Sequence, residues 1–337
     1  MDYGALFNTC MLGMCYSTEL VQKVRKPVYD KKKDFSVVTD YDFAIQIIFC
    51  SLLREFDLDI VAEEEDSREY QELLSLLRQK EIGEKNKKKK MHKFFQKIGI
   101  CLSEIKEQRH TVESKKRVSV IIDPIDGTKG FINQRVFSVV VSAVVEDYPI
   151  FSIISSPKEG KIFYKITVPE KTAGEFGKSG DGQKDRETYG VVSERKTPTE
   201  ISVRKTALQT FGKLGESLAI RIGLSFESAH SDAKIERVIE EIERVYRVSV
   251  QRIDGQCKYL YLSTGKLDLY IRIPDRKIQE KIWDHCAGIH MASGCIITDI
   301  EGKKLAPTTP TSYGVVASVS ENLHKKIIDI IEKVFLK

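Results

Sequence analysis

The stretch Asp123-Pro124-Ile125-Asp126-Gly127-Thr128 decides how this chain is interpreted. It follows residues 118–122, an apolar and β-branched run that predicts a buried strand, and its proline predicts a turn directly after that strand. Two carboxylates three residues apart can converge on hard cations, and the isoleucine carbonyl between them offers a further oxygen ligand. Gly127 and Thr128 add main-chain N–H groups that can hold a phosphate beside those ions. The stretch therefore predicts a site suited to phosphate ester hydrolysis.

Three other segments supply groups that fit the same chemistry. Trp283-Asp284 stands ahead of a predicted helix that runs through Met291 and ends at Gly294, which places a lone carboxylate at a helix N-terminus. The acidic run Glu63-Glu64-Glu65-Asp66 follows three apolar residues. The segment Lys33-Asp34-Phe35-Ser36-Val37-Val38-Thr39 lies just upstream of another predicted helix.

The composition is that of an ordinary soluble globular protein, with 41% apolar and 31% charged residues among 337. A formal net charge of +5 is small for this length, so a nucleic-acid partner is not expected, whereas an anionic substrate is compatible. Seven scattered cysteines without a CxxC pair indicate a reducing compartment rather than a disulfide framework. The apolar patch over residues 5–16 is too short to span a bilayer and predicts a core helix. We expect a cytoplasmic protein without membrane contact.

Hydrophobic periodicity predicts alternating helices and strands. Thr39 predicts a helix N-cap, with Asp42 in the capping-box position and helical spacing through about Phe56. The other predicted helices lie at about 235–245, 283–291 and 321–335, and the predicted strands at 118–122, 136–145, 150–155, 161–168, 249–253, 267–273 and 315–319. Residues 170–190 predict a loop because they are rich in glycine and charge.

The order of these elements predicts layers of sheet and helix. We expect an α+β N-terminal half over residues 1–157 and an α/β C-terminal half over residues 158–337. The lysine-rich segment 84–97 predicts a solvated loop or helix end, and polyanion binding is the alternative.

Several ordered motifs resemble one enzyme family. The stretch from Asp123 to Phe131 is similar to the signature of the lithium-sensitive, magnesium-dependent phosphatases, which include inositol monophosphatase and the fructose-1,6-bisphosphatases. The Lys-Gly-Phe ending of that stretch resembles the 3′(2′),5′-bisphosphate nucleotidases. Four further motifs share this likeness: Arg252-Ile253-Asp254-Gly255-Gln256-Cys257-Lys258-Tyr259, Asp268-Leu269-Tyr270-Ile271-Arg272, Gln279-Glu280-Lys281-Ile282-Trp283-Asp284-His285 and Ala229-His230-Ser231.

The resemblance implies a layered αβαβα sandwich, of the sugar-phosphatase kind, with the active site between its two halves. It also implies lithium-inhibited hydrolysis of 3′-phosphoadenosine 5′-phosphate (PAP) to AMP and phosphate. Two or three Mg²⁺ ions would be held by these groups: Asp123, the Ile125 carbonyl, Asp126, Asp284 and one glutamate of the acidic run. Metals that bind the attacking and leaving oxygens lower the pKa of the attacking water, which a poor electrophile such as a phosphate monoester requires.

In this scheme Asp123 bridges two ions, Asp126 and Asp284 hold the second, and the glutamate holds the first. The alternative is that the two aspartates of the first stretch only shape a turn and that Asp284 only caps a helix. Each such explanation is reasonable by itself, but four coincident acidic sites favour the metal site.

The acidic run departs from the family pattern, because relatives have Gly/Ala-Glu-Glu-Asp and this chain has one acid more. Alignment on the upstream Val61-Ala62 makes Glu63 the ligand, whereas alignment on Asp66-Ser67 makes it Glu64. We favour Glu63 because the upstream strand fixes the position, and Glu64 is the alternative.

The resemblance further implies that Asp34 and Thr128 activate the attacking water. A hydroxyl held by a carboxylate can accept the water's hydrogen bond while a metal acidifies it. Asp34 precedes Ser36-Val37-Val38-Thr39 where relatives have Ser-Pro-Val-Thr. The alternative is that Asp34 is only an exposed charged residue that follows three lysines.

Six residues are predicted to bind substrate: Gly127, Thr128, His230, Ser231, Lys258 and Arg272. A bisphosphorylated substrate keeps one phosphate, whose charge Lys or Arg must compensate, and Arg can do so with bidentate geometry. The alternatives are that His230 is an ordinary surface histidine and that Ser231 only caps the next helix. Gly255 stands where nucleotidases usually have serine, so one hydroxyl contact to the substrate is absent.

We therefore predict an Mg²⁺-dependent phosphatase that acts on PAP, with inositol 1,4-bisphosphate as a second substrate. The nearest alternative is primarily an inositol polyphosphate 1-phosphatase, for which Gly255 and the divergent residues 174–223 leave room. The alternative from another class is a non-catalytic protein that binds phosphorylated ligands or RNA, against which the intact acidic residues argue. The expected partner is a small phosphorylated substrate, and we expect a monomer.

Overall fold

The computed structural model of the chain describes residues 2–31, 37–63, 117–168, 186–197, 200–204, 219–226, 232–274 and 279–336. Several sequence predictions lie outside these described residues: those for Asp34, Glu64, His230, Ser231 and the lysine-rich segment 84–97.

Two helices form the N-terminal layer, α1 (Tyr3–Gln22) and α2 (Asp40–Leu53). α1 contains the apolar patch that was predicted to be a core helix, and this prediction is confirmed because most of the patch is buried. The capping box at the start of α2 is also confirmed, since the Asp42 carboxylate accepts a hydrogen bond of 2.8 Å from the Thr39 N–H. α2 ends before Phe56, whose N–H donates to the Leu53 carbonyl in a turn.

A seven-stranded sheet covers these helices. A separate hairpin of β1 (Tyr29–Lys31) and β2 (Val37–Thr39) precedes it. The strands of the sheet are hydrogen-bonded in chain order, the first pair parallel and all other pairs antiparallel. They are β3 (Asp59–Ala62), β4 (Val118–Asp126), β5 (Ser138–Val145), β6 (Tyr148–Ser156), β7 (Lys161–Val168), β8 (Arg186–Thr197) and β9 (Glu200–Arg204).

Two sequence predictions about this sheet were wrong. β4 does not end at residue 122, because Asp126 still pairs with Ser138 across an irregularity that contains Pro124. Proline has no N–H to donate. It is tolerated at such a point because the regular hydrogen bonding between the strands is already interrupted there. Residues 186–190 belong to β8 rather than to a loop, since pairing with β7 outweighs their glycine-rich and charged composition.

A five-stranded sheet carries the C-terminal part of the chain, in the order β11-β10-β12-β16-β14. β10 is parallel to both of its neighbours, and β16 is antiparallel to both of its own. The bounds are β10 (Ile220–Leu224), β11 (Val248–Arg252), β12 (Leu269–Arg272), β14 (Ile296–Thr298) and β16 (Val315–Ser318). A separate two-stranded antiparallel sheet consists of β13 (Glu280–Lys281) and β15 (Thr311–Ser312).

The remaining helices complete five layers. They are α3 (Thr128–Ile132), α4 (Asp232–Glu243), α5 (Cys257–Ser263), α6 (Cys286–Met291) and α7 (Glu321–Ile331). One apolar core joins α1, α2, the seven-stranded sheet, α5 and α6, and a second lies between the five-stranded sheet and helices α4 and α7. The order of layers is therefore αβαβα, and the predicted fold class is confirmed. The division of the chain at residue 157 stays a prediction.

A buried histidine joins α6 to the seven-stranded sheet. His290 Nδ1 lies 2.8 Å from Ser152 Oγ on β6, and its Nε2 lies 2.8 Å from Thr167 Oγ1 on β7. Burial, and secondarily the charge of Lys165, lowers the pKa of His290 to about 3. In the folded protein the imidazole therefore stays neutral down to about pH 3. In the unfolded chain it begins to bind a proton near its ordinary pKa of about 6.5.

This depressed pKa predicts an acid-sensitive contribution to stability. The contribution is present above the unfolded pKa of about 6.5 and is lost as the pH falls toward the folded value, because only the unfolded chain binds the proton. Between pH 6.5 and pH 4.5 the loss should reach roughly 2–3 kcal/mol. Urea unfolding of wild type and His290→Gln at several pH values measures it. The variant's stability should fall less steeply with acidity, and parallel curves would contradict the assignment.

Candidate active site

One cavity of about 150 Å³ collects most of the predicted site residues in the described part of the chain. Its lining consists of Val37, Glu63, Asp123, Ile125, Asp126, Gly127, Thr128, Lys129, Arg272, Lys281, Asp284 and His285. The four acids of this lining come from the end of β3, the end of β4 and the turn before α6. Segments far apart in sequence thus present their carboxylates to one space, as the resemblance implied.

The turn after β4 depends on a glycine. Gly127 has φ +86°, and a Cβ there would lie 2.8 Å from the Gly255 nitrogen. Only glycine meets both demands without strain. Gly255 is equally confined, because it has φ +68° and a Cβ would lie 2.6 Å from the Asp126 carbonyl. The absence of a side chain at Gly255 is therefore what allows the two turns to pack together.

Gln256 connects the two sides of the cavity. Its Nε2 donates to the Asp284 carbonyl at 2.8 Å, and its Oε1 accepts from the Gly288 N–H at 2.7 Å. Its main-chain N–H donates to Ser138 Oγ at 2.7 Å, and Ser138 pairs with Asp126 in the sheet. The residue is buried, so these bonds hold the backbone of Asp284 in a fixed relation to the end of β4.

Two carboxylates of the cavity, Asp123 and Asp284, have raised pKa values. Burial is the first cause for Asp123, and Glu63, Asp126 and Asp284 add repulsion, so its pKa lies well above the usual range. The pKa of Asp284 is raised to about 7 by burial and by its acidic neighbours, with Arg272 acting in the opposite direction. The Oδ1 atom of Asp123 is buried and has no hydrogen-bond partner among the described residues. Such a cluster requires cations to stay ionised at neutral pH.

The donor set fits hard divalent cations. It consists of carboxylates and main-chain carbonyls, which are the ligands that Mg²⁺ prefers. No three Asp, Glu, His or Cys side chains in the described ranges form a ready-made cage around one point. Mg²⁺ is usually bound by one or two protein carboxylates per ion, and water or substrate oxygens supply the remaining ligands.

The Thr128 hydroxyl has a carboxylate neighbour that sequence reasoning missed. Its Oγ1 donates to the Ile125 carbonyl at 3.0 Å and lies 3.5 Å from Asp42 Oδ1. Asp42 is fully buried and also completes the capping box of α2. Its capping position was visible in the sequence, but that local role gave no sign of the contact with Thr128. Asp34 lies outside the described residues, so its predicted role stays a prediction.

The cationic side of the cavity also differs from the prediction. Arg272 lines it as predicted, and its Nε donates to Glu280 Oε2 at 3.0 Å. Lys129 and Lys281 line it as well, although neither was named as a site residue. Lys258 does not line it, because its buried Nζ donates to the Ile253 carbonyl at 3.2 Å.

The comparisons with known proteins agree with this fold and site. The model of the inositol monophosphatase family matches residues 16–335. A 3′(2′),5′-bisphosphate nucleotidase of Schizosaccharomyces pombe is 26% identical over 326 residues, which cover 88% of this chain and 84% of that protein. The 3′(2′),5′-bisphosphate nucleotidase 2 of Candida albicans is 28% identical, with coverage of 98% and 95%.

Solved structures share the fold at low sequence identity. The extragenic suppressor protein suhB from Bartonella henselae gives a TM-score of 0.60 at 14% identity, with coverage of 98% of this chain and 99% of that one. An IMPase/NADP phosphatase solved with Mg²⁺ and phosphate gives 0.56 at 14% identity, with coverage of 96% and 92%. The family match spans nearly the whole chain, including every described element that lines the cavity. This chain therefore belongs to the inositol monophosphatase family.

Proposed function

We propose that this protein is an Mg²⁺-dependent, lithium-inhibited phosphatase that hydrolyses PAP to AMP and phosphate. The observation that carries the proposal is the convergence of four carboxylates on one cavity, with the unpartnered oxygen of Asp123 among them. The substrate follows from relatives named as bisphosphate nucleotidases, which align over most of their own length and of this chain.

Two or three Mg²⁺ ions would be held by the oxygen donors of the cavity. These are Glu63, Asp123, Asp126 and Asp284 with the Ile125 carbonyl, and Glu64 is the alternative to Glu63. When bound, the ions lower the pKa of the attacking water and stabilise charge on the phosphoryl oxygens. An IMPase/NADP phosphatase that shares the fold was solved with Mg²⁺ and phosphate, which supports the proposal of a divalent cation.

Thr128 and Asp42 would orient the attacking water. If the Thr128 hydroxyl turns its hydrogen from the Ile125 carbonyl toward Asp42, a lone pair of Oγ1 is left to accept a hydrogen bond from water. The water oxygen would then form the new bond to phosphorus as the ester P–O bond breaks. Asp42 would take the proton that water loses by way of Thr128, and the departing oxygen would take up a proton to leave as the hydroxyl group of AMP. Asp34 remains the alternative carboxylate for this role.

The substrate would be held around these groups. Gly127 and Thr128 line the cavity beside the acids, and their main-chain N–H groups suit the scissile phosphate. We retain His230, Ser231, Lys258 and Arg272 as candidates for the rest of the substrate, and Arg272 has the direct support of lining the cavity. Inositol 1,4-bisphosphate is the proposed second substrate.

The state of the cysteines bears on the cellular setting. The six cysteines among the described residues are all free, which suits a reducing cytoplasm. Within the described ranges, no helix has both the length and the apolar character that a membrane crossing needs. We propose a cytoplasmic monomer whose partner is a small phosphorylated molecule rather than a nucleic acid, and whose two halves divide at residue 157.

The experiment that tests the substrate is phosphate release from PAP and from inositol 1,4-bisphosphate, measured side by side with Mg²⁺, with and without lithium. A large preference for PAP that lithium abolishes is expected. A preference for the inositol would keep the metal chemistry and overturn the nucleotide specificity. Release from neither would favour the non-catalytic alternative.

The acidic run gives a matched pair of variants. Because Glu63 lines the cavity and adds to the charge around Asp123, Glu63→Gln should lower kcat by about 100-fold or more, through loss of a metal ligand. Glu64→Gln should change kcat by less than about threefold. Steady-state kinetics at saturating Mg²⁺ measure both. Equal, mild effects would show that neither glutamate is the ligand, and the reverse order would select Glu64.

A further inference from the structure

His285 lines the cavity but has no function in the scheme above. It is the last residue of the short 3₁₀ turn Trp283–His285, directly after Asp284 and before α6, and only 6% of it is exposed. The scheme gives the attacking water two partners, Thr128 and Asp42, but it gives the oxygen that leaves phosphorus no protein donor. A histidine at the cavity is a candidate for that second task.

A buried tyrosine holds the imidazole of His285. The Nδ1 atom lies 3.0 Å from the hydroxyl oxygen of Tyr259, and the two rings meet edge to face with centroids 5.8 Å apart. Tyr259 is fully buried, and its ring also meets Tyr270 edge to face at 5.3 Å. A Cβ at Gly288 of α6 would lie 2.2 Å from Cδ2 of Tyr259, so this ring packs directly on the backbone of α6. Packing and the hydrogen bond together set the position of the imidazole.

The same contact fixes which nitrogen of His285 carries the proton. A phenol keeps its proton at neutral pH, since its ordinary pKa is about 10, and burial raises the pKa of Tyr259 further. Nδ1 of His285 is the one hydrogen-bond partner that the Tyr259 hydroxyl has among the described residues. Buried O–H groups in proteins are nearly always donated to an acceptor, so this hydroxyl donates to Nδ1. A nitrogen that accepts a hydrogen bond carries no proton, and the proton of the neutral imidazole therefore lies on Nε2.

An N–H group at Nε2 suits the oxygen that leaves phosphorus. As the ester P–O bond breaks, its electron pair passes to that oxygen, which carries negative charge until a proton from water neutralises it. A neutral imidazole can stabilise such a charge by hydrogen bonding and keep its own proton. A donor that a buried partner already holds in place needs no reorganisation when the charge develops.

We propose that His285 donates a hydrogen bond from Nε2–H to the oxygen that leaves phosphorus, and that Tyr259 is the positioning residue that keeps the proton on Nε2. This inference rests on the proposed function for the identity of the substrate. The acids of the cavity and their ions would act on the attacking water and on the phosphoryl oxygens. His285 would act at the other end of the reaction, on the bond that breaks.

The position of the proton is tested without any turnover, in the presence of Mg²⁺. Long-range ¹H–¹⁵N NMR spectra of protein with ¹⁵N-labelled histidine distinguish the two neutral tautomers, and His285→Gln identifies the signal of His285 among the six histidines. Wild type should carry the proton on Nε2 alone. Tyr259→Phe removes the donor to Nδ1, so a mixture of both tautomers is expected. A proton on Nδ1 in wild type would overturn the inference.

Two substitutions of His285 separate the two ring nitrogens in kinetics. The amide nitrogen of a glutamine side chain can take the place of Nε2, whereas that of an asparagine lies nearer to Nδ1. His285→Asn should lower kcat for PAP by about 100-fold, since loss of one preorganised donor typically costs about 10²–10³-fold. His285→Gln should retain about tenfold more activity than His285→Asn. Equal losses would show that the position of the donor has no effect and would refute the proposal.

The positioning role has its own pair of variants on α5. Tyr259→Phe should lower kcat for PAP by about tenfold with little change in KM, because the protein still binds substrate but loses part of a transition-state contact. Tyr261→Phe is the matched control, since its hydroxyl donates to Glu159 Oε1 at 2.6 Å and the residue is not part of the cavity lining. The control should keep the kcat of wild type. Equal kcat values in the two variants would exclude a positioning role for Tyr259.

A binding measurement separates this inference from the proposed function. Calorimetry with Mg²⁺ compares AMP with 3′-deoxyadenosine 5′-monophosphate, which lacks the oxygen that has left phosphorus. Wild type should bind AMP about three- to tenfold more tightly, and His285→Asn should lose that preference. No preference in wild type, or a preference that His285→Asn keeps, would overturn the contact. Failure of wild type to hydrolyse PAP would instead refute the proposed function, and the NMR spectra would still decide the tautomer.

Discussion

Asp123→Asn should lower phosphate release from PAP by about 10³-fold or more, while the protein stays folded. Asp123 is 2% exposed, and its Oδ1 has no partner within the described residues. An amide in its place keeps the shape but removes the charge on which the bound cations depend. Metal ions supply several kcal/mol of transition-state stabilisation, and each 1.4 kcal/mol is about a factor of ten in rate.

The same substitution should not destabilise the metal-free protein. The carboxylate of Asp123 is buried and repelled by Glu63, Asp126 and Asp284, so its removal relieves an unfavourable interaction. Thermal unfolding with EDTA and with Mg²⁺ measures this. Wild type should be stabilised by Mg²⁺, by about 2.7 kcal/mol at a concentration 100 times the Kd, and the variant should lose most of that gain.

Asp329→Asn is the matched control, since Asp329 is exposed on α7 and is not part of the cavity lining. It should behave as wild type in both assays. Near-normal turnover of Asp123→Asn would refute the metal assignment. A variant that unfolds in EDTA at a much lower temperature than wild type would show that Asp123 has a structural role instead.

Asp42→Asn should lower kcat by about 10²–10³-fold with little change in KM, because general-base assistance of this kind contributes 10²–10⁴-fold. The Asp42 Oδ1 atom lies 3.5 Å from Thr128 Oγ1 and is the carboxylate oxygen closest to it that the described contacts record. Asp34→Asn, the alternative, should have a much smaller effect. Kinetics of the two variants at saturating Mg²⁺ distinguish the carboxylates, and a larger loss in Asp34→Asn would reverse the assignment.

A control is needed because Asp42 also caps α2. Thr39→Ala removes a hydroxyl that accepts from the Tyr41 N–H at 3.2 Å and donates to Asp42 Oδ2 at 2.5 Å, and it keeps both the Asp42 carboxylate and Thr128. It should cost about 1 kcal/mol in the free energy of unfolding and leave kcat largely intact. If Thr39→Ala lost as much activity as Asp42→Asn, the effect of Asp42 would lie in helix position rather than in water activation.

Local patterns in the sequence predicted much of the fold. The capping box of α2, the strand at Lys161–Val168 and the amphipathic stripe of α4 all follow from short-range periodicity, and the structure contains them. The ends of elements were less predictable. Pro124 indicated the end of a strand, yet pairing of Asp126 with Ser138 carries β4 past it, because the partner strand lies beyond any local window.

The candidate site residues that belong to a sequence motif were predicted. Those that reach the site only through the packing of distant segments were missed. The carboxylates of β4 and the turn before α6 were predicted from their sequence motifs. Asp42, Lys129 and Lys281 were not, because each has an adequate local explanation as a cap, a helix residue or an exposed charge. Only the assembled layers place the two lysines at the cavity and bring Asp42 beside Thr128.

The measurement that tests the central claim most directly is phosphate release from PAP as Mg²⁺ is titrated into metal-free wild-type protein. We predict no release in EDTA, a rise with Mg²⁺ to a plateau, and loss of that activity when lithium is added. Release at the same rate in EDTA and in Mg²⁺ would contradict the account, because the carboxylates of the cavity would then have no metal to hold for the reaction.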